Sequence, residues 1–298
     1  MTTSGSAPHG TQSAPGAVTL VTVLHNSSDI LRGFIESAIA ACSGSALSIV
    51  AVDNESADRE TSRAIAEELG VQFLAMPQNR GYGSGANAGA AQAARPGEYV
   101  LVCNPDVVFE AHAIDVLRAA AESSDPAVAA FGPRIVDPSG AVYPSARRLP
   151  TIRTGVGHAL FARIAPNNPW TRRYRAESEY SDAPRDAEWL SGACLLIRAD
   201  WFTRLGGFDE RFFMYFEDVD LGARIRAAGG RSRYVPDATI VHTGAHSTSG
   251  SARRMTRVHH ESAAIYFDKT HPGPLLYPLR KLVGFGLWLR ARWTTRGH

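Results

Sequence analysis

The chain has 298 residues, 44% of them apolar and 20% charged, enough for one large α/β domain with an appendage or for two small domains. Its net charge of +2 lacks the basic excess of a dedicated nucleic-acid binder. Three cysteines spread far apart, Cys42, Cys103 and Cys194, form neither a disulfide framework nor a zinc-ligand spacing, and read as buried free thiols of a reducing compartment.

Residues 1–16 are rich in Ser, Thr, Gly and Pro and lack an apolar h-region, so 1–17 reads as a disordered leader rather than a signal peptide. No stretch reaches the ~18 apolar residues of a membrane span, and a cytoplasmic protein is expected. From there the pattern alternates. A β-branched run at 18–24 (VTLVTVL) predicts a strand buried on both faces, and 30–41 has helical spacing. A strand at 47–52, a helix at 58–69, a short strand at 71–75 and an Ala-rich helix at 84–94 follow. Next come a strand at 99–103, a helix at 111–121 and a strand at 128–131. This alternation predicts a mostly parallel sheet covered by helices, with ligands bound beyond the C-terminal strand ends.

Residues 137–186 are rich in Pro and Arg and read as long loops and short helices covering a substrate. Regular structure resumes with a strand at 192–197 and a helix from Ala199. A helix at 217–228 stops at Gly229-Gly230, strands are expected at 231–235 and 239–241, and helices at 252–269 and 275–293. The segment 251–298 holds nine Lys/Arg against Glu261 and Asp268, a net of +7 that leaves −5 for the rest. Its last helix mixes Leu, Phe and Trp with Arg280, Lys281, Arg290 and Arg292, a composition suited to the headgroups of an anionic bilayer. The alternative is a helix packed on the protein's own core.

Five polar clusters stand out. Asp53, ending the second strand in VDNESAD, can accept a hydrogen bond from a nucleobase or ribose, or merely end the strand while Asp58 caps the next helix. In Asn79-Arg80-Gly81-Tyr82-Gly83-Ser84-Gly85-Ala86-Asn87, three glycines before a helix allow close backbone approach to a ligand, and Arg80 can meet a phosphate. Asn104-Pro105-Asp106 offers oxygen ligands for a hard divalent cation carrying a diphosphate. Glu217, Asp218 and Asp220 crowd the first turn of a helix; they either complement its dipole or include a general base enclosed by aromatic flanks. His242 ends a strand, as a structural histidine or as a ligand if Asp106 lies near it.

Taken in order, VTLVTVLHNS, VAVDNES, NRGYGSGANAG, LVCNPDV, WLSGACLLIR, GGFDERFFMYFEDVDLGARIRAAG and VPDATIVH resemble the family 2 glycosyltransferases with the GT-A fold, over residues 18–250. The resemblance implies an inverting enzyme with a GT-A Rossmann-like sheet and a C-terminal helical extension. It implies that Asp53 binds the pyrimidine base beside His25 and Asn26, and that Asn79, Arg80, Gly81, Asn87 and Asn104 complete the nucleotide-sugar site. Asp106 would be the main carboxylate ligand of Mg²⁺ or Mn²⁺, with His242 completing the metal site. The family usually has Asp-x-Asp here, where this chain has Asn104. Asp218 would be the catalytic base with Glu217 as its helper, and Trp189 and Gly192 would line the acceptor side. Arg253 and Arg254 are assigned to the diphosphate from charge and position.

A narrower likeness, resting on FFMYFEDVDL, HTGAHST, Arg-Arg-Met, His259-His260 and FDKTHPG, is to actinobacterial rhamnosyltransferases. It implies dTDP-L-rhamnose as donor, a polyprenyl-diphosphate-linked N-acetylglucosamine as acceptor, a role in the cell-wall linkage unit, and docking of the tail on the inner face of the cell membrane. The alternatives are a UDP-galactofuranose or UDP-hexose donor for another surface polysaccharide, and a non-catalytic nucleotide-sugar-binding protein.

Overall fold

The computed structural model describes residues 14–43, 46–93, 97–150, 182–244 and 252–294. Its backbone is one ten-stranded sheet with helices on both faces. Strands β1 (Ala14–Leu24), β2 (Leu47–Asp53), β3 (Gln72–Ala75) and β4 (Gly97–Cys103) are parallel, in the order β3-β2-β1-β4. The helices α1 (Ser28–Ala40), α2 (Arg59–Glu68) and α3 (Tyr82–Gln92) connect them.

Beyond β4 the chain adds β5 (Val107–Phe109), α4 (Ala113–Glu122) and β6 (Val128–Val136). Four short strands follow: β7 (Val142–Tyr143), β8 (Ala146–Arg147), β9 (Arg185–Ala187) and β10 (Trp189–Leu190). Next come β11 (Cys194–Arg198), α5 (Ala199–Leu205), α6 (Glu217–Ala227) and β12 (Arg231–His242). The sheet continues from β4 as β11-β6-β12-β5, with β11 and β5 antiparallel to their neighbours. Strands β8 and β10 pair separately. The two strands expected at 231–235 and 239–241 are one strand with a register shift between Val235 and Thr239.

Strand β1 is buried on both faces because both faces carry helices. One core layer joins Leu20, Leu24, Phe34, Ile35 and Leu101; the other joins Val21, Val52, Val102, Phe202 and Phe208. Helix α3 lies against this second face, closely enough that a Cβ on Gly89 would sit 2.4 Å from Val21 and one on Gly85 2.8 Å from Val23. Helix α3 begins at Tyr82, so Gly83 and Gly85 lie inside it and serve packing rather than ligand approach.

Strand β1 starts at Ala14, within the segment read as a leader, and Ala14 is in register with Gly97. Residues 1–13 lie outside the described residues, as do 151–181 of the expected cover and most of the HTGAHST motif. Helix α7 (Ala252–Thr270) packs on the body of the fold: Tyr266 is buried with Phe212 and Val219, and Ser262 donates to the Met214 carbonyl at 2.8 Å. A short 3₁₀ turn (Pro274–Leu276) then leads to α8 (Tyr277–Thr294), which folds back along α7. Arg280 holds this hairpin through Asp268 at 2.9 Å and the His271 carbonyl at 2.9 Å. Leu282, Phe285 and Trp288 remain exposed on α8.

Candidate active site

The C-terminal ends of β1, β2, β4 and β12 share one edge of the sheet, because these strands run the same way. Antiparallel β11 begins at that edge. The segments leaving or entering there enclose a cleft of about 660 Å³. Its walls carry His25 after β1, Asn54 after β2, Asn79 and Gly81 before α3, and Asn104, Pro105 and Asp106 after β4. Trp189, Gly192, Glu217, Asp218, His242 and Arg254 complete it.

One wall is a loop junction. Asn54, 3% exposed, donates from Nδ2 to Asn79 Oδ1 at 3.0 Å and to the Gly81 carbonyl at 3.1 Å. His25 Nδ1 lies 3.2 Å from the Asn54 carbonyl. Gly81 has φ +94°, and a Cβ there would meet the Phe213 carbonyl oxygen at 2.1 Å. That carbonyl accepts the Tyr82 N–H at 2.9 Å, so only glycine lets the chain pass.

Four residues expected at the nucleotide do not reach the cleft wall. Asp53 is fully buried and ion-paired through Oδ1 to Arg59 of α2 at 2.6 Å, leaving Oδ2 without a partner. Asn26 has φ +55° and accepts the Ala57 N–H at 2.8 Å, tying the β1 and β2 loops together. Arg80 turns to Glu210 at 2.8 Å. Asn87 accepts the Phe208 N–H and donates to its carbonyl, both at 2.8 Å, clamping α3 to the turn after α5. Arg253 also lies off the wall, whereas Arg254 lines it, 5.5 Å over the Phe213 ring. Asp58 caps α1 rather than α2: its Oδ2 accepts the Ser28 N–H at 2.8 Å.

Asp106 and His242, 136 residues apart in sequence, meet because His242 is in register with Val107 across β12 and β5. Asp106 Oδ1 lies 3.1 Å from His242 Nε2, close to the ~3 Å between adjacent ligands of an octahedral ion with bonds of about 2.1 Å. The Asn104 amide stands 3.3 Å from the same nitrogen and presents Nδ2, not oxygen. No cluster of three or more His, Cys, Asp and Glu gathers among the described residues. Asp106 and His242 therefore fit a divalent cation as two ligands, with the other positions left to phosphate oxygens and water.

The carboxylates enter through a strained turn. Tyr215 and Phe216 both have φ +67°, a rare state for non-glycine residues. The His259 ring holds them, 5.4 Å from each of theirs. Asp218 accepts backbone N–H bonds from Gly192 at 2.9 Å and Val219 at 2.8 Å. Gly192 permits this approach, since a Cβ there would stand 3.2 Å from that of Asp218. Burial raises the Asp218 pKa above the usual carboxylate range, while these N–H groups and the Arg147 charge oppose the shift. Glu217 is buried, its Oε2 has no partner, and desolvation with the adjacent Asp218 charge pushes its pKa to about 8. It is a neutral acid at pH 7 beside a more readily ionised Asp218. Asp220 is structural: it pairs with Arg224 and Lys269, both at 2.6 Å, and Lys269 also holds Asp209 at 2.7 Å.

Tyr82 and His259 stand in the sequence only inside longer motifs, with no role assigned to them, yet the Tyr82 hydroxyl donates to the Gly192 carbonyl at 2.9 Å and His259 lies on the cleft, as do Arg147 and Arg148, which no motif singled out.

Comparison with known proteins decides the family. The profile described as "Glycosyltransferase like family 2" matches residues 15–259. The chain belongs to this glycosyltransferase family. It is 41% identical over 262 residues to an N-acetylglucosaminyl-diphospho-decaprenol L-rhamnosyltransferase of Mycobacterium tuberculosis, covering 84% of this chain and 80% of that one. It is 38% identical over 93 residues to rhamnosyltransferase WbbL of Escherichia coli K12, covering 31% and 34%. Among solved structures, the mannosyltransferase PcManGT of Pyrobaculum calidifontis, in complex with GDP-Man and Mn²⁺, superposes with TM-score 0.56 at 19% identity over 94% of this chain and 72% of that one. GalNAc-T7 with UDP, GalNAc and Mn²⁺ gives TM-score 0.56 at 17% identity over 89% and 53%. These neighbours establish the GT-A fold of this glycosyltransferase.

Proposed function

We propose that this glycosyltransferase transfers L-rhamnose from dTDP-L-rhamnose, with inversion, to a polyprenyl-diphosphate-linked N-acetylglucosamine of the cell-wall linkage unit. The sugar and acceptor are supported by the extended identity to the mycobacterial enzyme. The observation that carries the chemistry is a half-buried Asp218, oriented by two backbone N–H groups, in the same cleft as the Asp106–His242 pair.

Asp218 takes the proton from the acceptor hydroxyl as that oxygen attacks the anomeric carbon from the face opposite the leaving nucleoside diphosphate. Its two N–H bonds favour the carboxylate form against the burial that opposes it, and fix its direction. Glu217, neutral beneath it, adds no second negative charge that would repel the hydroxyl oxygen. Trp189 and Gly192 line the acceptor side, and Asn54, Asn79 and Gly81 the donor side. Asp106 and His242 would hold Mg²⁺ or Mn²⁺, which when bound neutralises charge on the departing diphosphate. Asp53, whose Oδ2 has no hydrogen-bond partner and which is followed directly by the cleft residue Asn54, would be the acceptor for the base N–H once exposed to it. Exposed Leu282, Phe285 and Trp288 with Lys281 would dock α8 on an anionic membrane surface, where a lipid-linked acceptor resides. No helix among the described residues is long and apolar enough to cross a membrane.

The test is a transfer assay with purified protein, Mn²⁺, a short-prenyl diphosphate-N-acetylglucosamine, and dTDP-L-rhamnose beside UDP-galactofuranose and UDP-hexoses. Transfer from dTDP-L-rhamnose alone is expected; transfer only from a UDP-sugar would move the enzyme to another glycan.

A further inference from the structure

Most arginines on this surface are neutralised: Arg32 by Glu68, Arg80 by Glu210, Arg211 by Asp209, Arg226 by Glu188 and Arg233 by Asp186, each within 3.0 Å. Arg147 and Arg148, both on the cleft, have no carboxylate partner among the described residues. Arg147 is nonetheless built into place. It ends β8 in register with Trp189 of β10, and its guanidinium carbon lies 5.4 Å from the Trp189 ring and 5.2 Å from the Tyr143 ring. Its Nε donates to the Pro144 carbonyl at 2.6 Å. The two terminal nitrogens, with four N–H donors between them, have no protein acceptor among the described residues. The Arg148 side chain makes no hydrogen bond or ion pair there, while its carbonyl accepts the Trp189 indole N–H at 2.9 Å and fixes the strand pair.

This cationic edge leads straight into the base. Beyond β10 the chain continues through Ser191 to Gly192, whose N–H holds Asp218. Asp218 feels the Arg147 charge, but no ion pair within 4 Å joins them, so the terminal N–H groups of Arg147 are not taken up by it. In the function proposed above the donor diphosphate lies elsewhere on the cleft, at Asp106 after β4 and His242 at the end of β12. Two guanidinium groups on one rim, that of Arg147 held on aromatic faces with a free N–H fork, suit a second diphosphate.

We propose that Arg147 and Arg148 form a diphosphate subsite for the acceptor, so that the enzyme selects sugars carried on a diphosphate rather than sugars in general. This rests on the acceptor class proposed above. Each charge-assisted contact to a phosphate is expected to change affinity by roughly 10- to 100-fold.

The experiment compares two acceptors of equal sugar and chain length, a prenyl-diphosphate-N-acetylglucosamine and a neutral alkyl N-acetylglucosaminide, with the native enzyme and with R147Q, R148Q and R147K. The ratio of kcat/KM for the diphosphate acceptor over the neutral one is expected to fall roughly 10- to 100-fold in R147Q and in R148Q, with donor KM unchanged. R147K, which keeps the charge but loses the fork, should fall in between. Thermal stabilisation by dTDP with Mn²⁺ reports that each variant is folded. An equal loss on both acceptors, or a raised donor KM, overturns the subsite and leaves the transferase function standing. Failure of the native enzyme to glycosylate either acceptor overturns the acceptor class and the subsite together.

Discussion

Replacing Glu217 by Gln should stabilise the protein and slow it, and the stabilisation should depend on pH in one direction. In the fold the Glu217 pKa rises from 4.5 to about 8, driven by burial and then by the Asp218 charge. The side chains of Tyr82 and Tyr215, which also face this pair, remain neutral in that range because their own pKa values are raised. Below pH 4.5 the folded and unfolded chains both hold the proton, and Glu217 costs nothing. Between 4.5 and 8 the unfolded chain releases it while the folded chain keeps it, so the native state loses stability as pH rises. At about 1.4 kcal/mol per pKa unit, the loss approaches ~3 kcal/mol by pH 7. Gln has nearly the same shape and does not titrate. Urea or thermal unfolding of both proteins at pH 5, 6, 7 and 8 should show E217Q gaining on the native chain with each step, by roughly 2–4 °C per kcal/mol. A constant difference across this range would refute the assignment of a neutral Glu217. The native residue would then be a stability cost retained for the chemistry beside it.

Other substitutions separate the parts of the site. D218N should lower kcat by roughly 10²- to 10⁴-fold while dTDP binding, read by thermal shift, persists. At a nucleotide concentration about 100-fold above Kd the native protein should gain ~2.7 kcal/mol, and H242A should make that gain the same with and without Mn²⁺. G81A forces a side chain to φ +94° and against the Phe213 carbonyl, and should cost at least about 2 kcal/mol in a denaturation measurement. The double change F285S/W288S should weaken sedimentation with anionic vesicles by ~10-fold or more, without changing transfer to a water-soluble acceptor.

The sequence by itself determined the parallel sheet, since continuous β-branched runs such as 18–24 are stable only when buried on both faces. It also determined which polar residues follow each strand, because a ligand edge is where a buried run must stop. It placed Asp218 on a helix N-terminus, and the ordered motifs pointed to the family. The tertiary structure alone decided which of those polar residues face the cleft. Asp53, Asn26, Arg80 and Asn87 carry donors and acceptors that any loop could offer to a ligand, yet Arg59, Ala57, Glu210 and Phe208 reach them first. Asp106 and His242 meet only through the register of β12 on β5. Arg147 is indistinguishable in sequence from its many arginine neighbours; its charge stands open because β8 and β10 pair it with a tryptophan instead of a carboxylate. Local pattern reports what a segment buries, whereas the pairing of distant polar groups depends on strand order and register, which no local pattern contains.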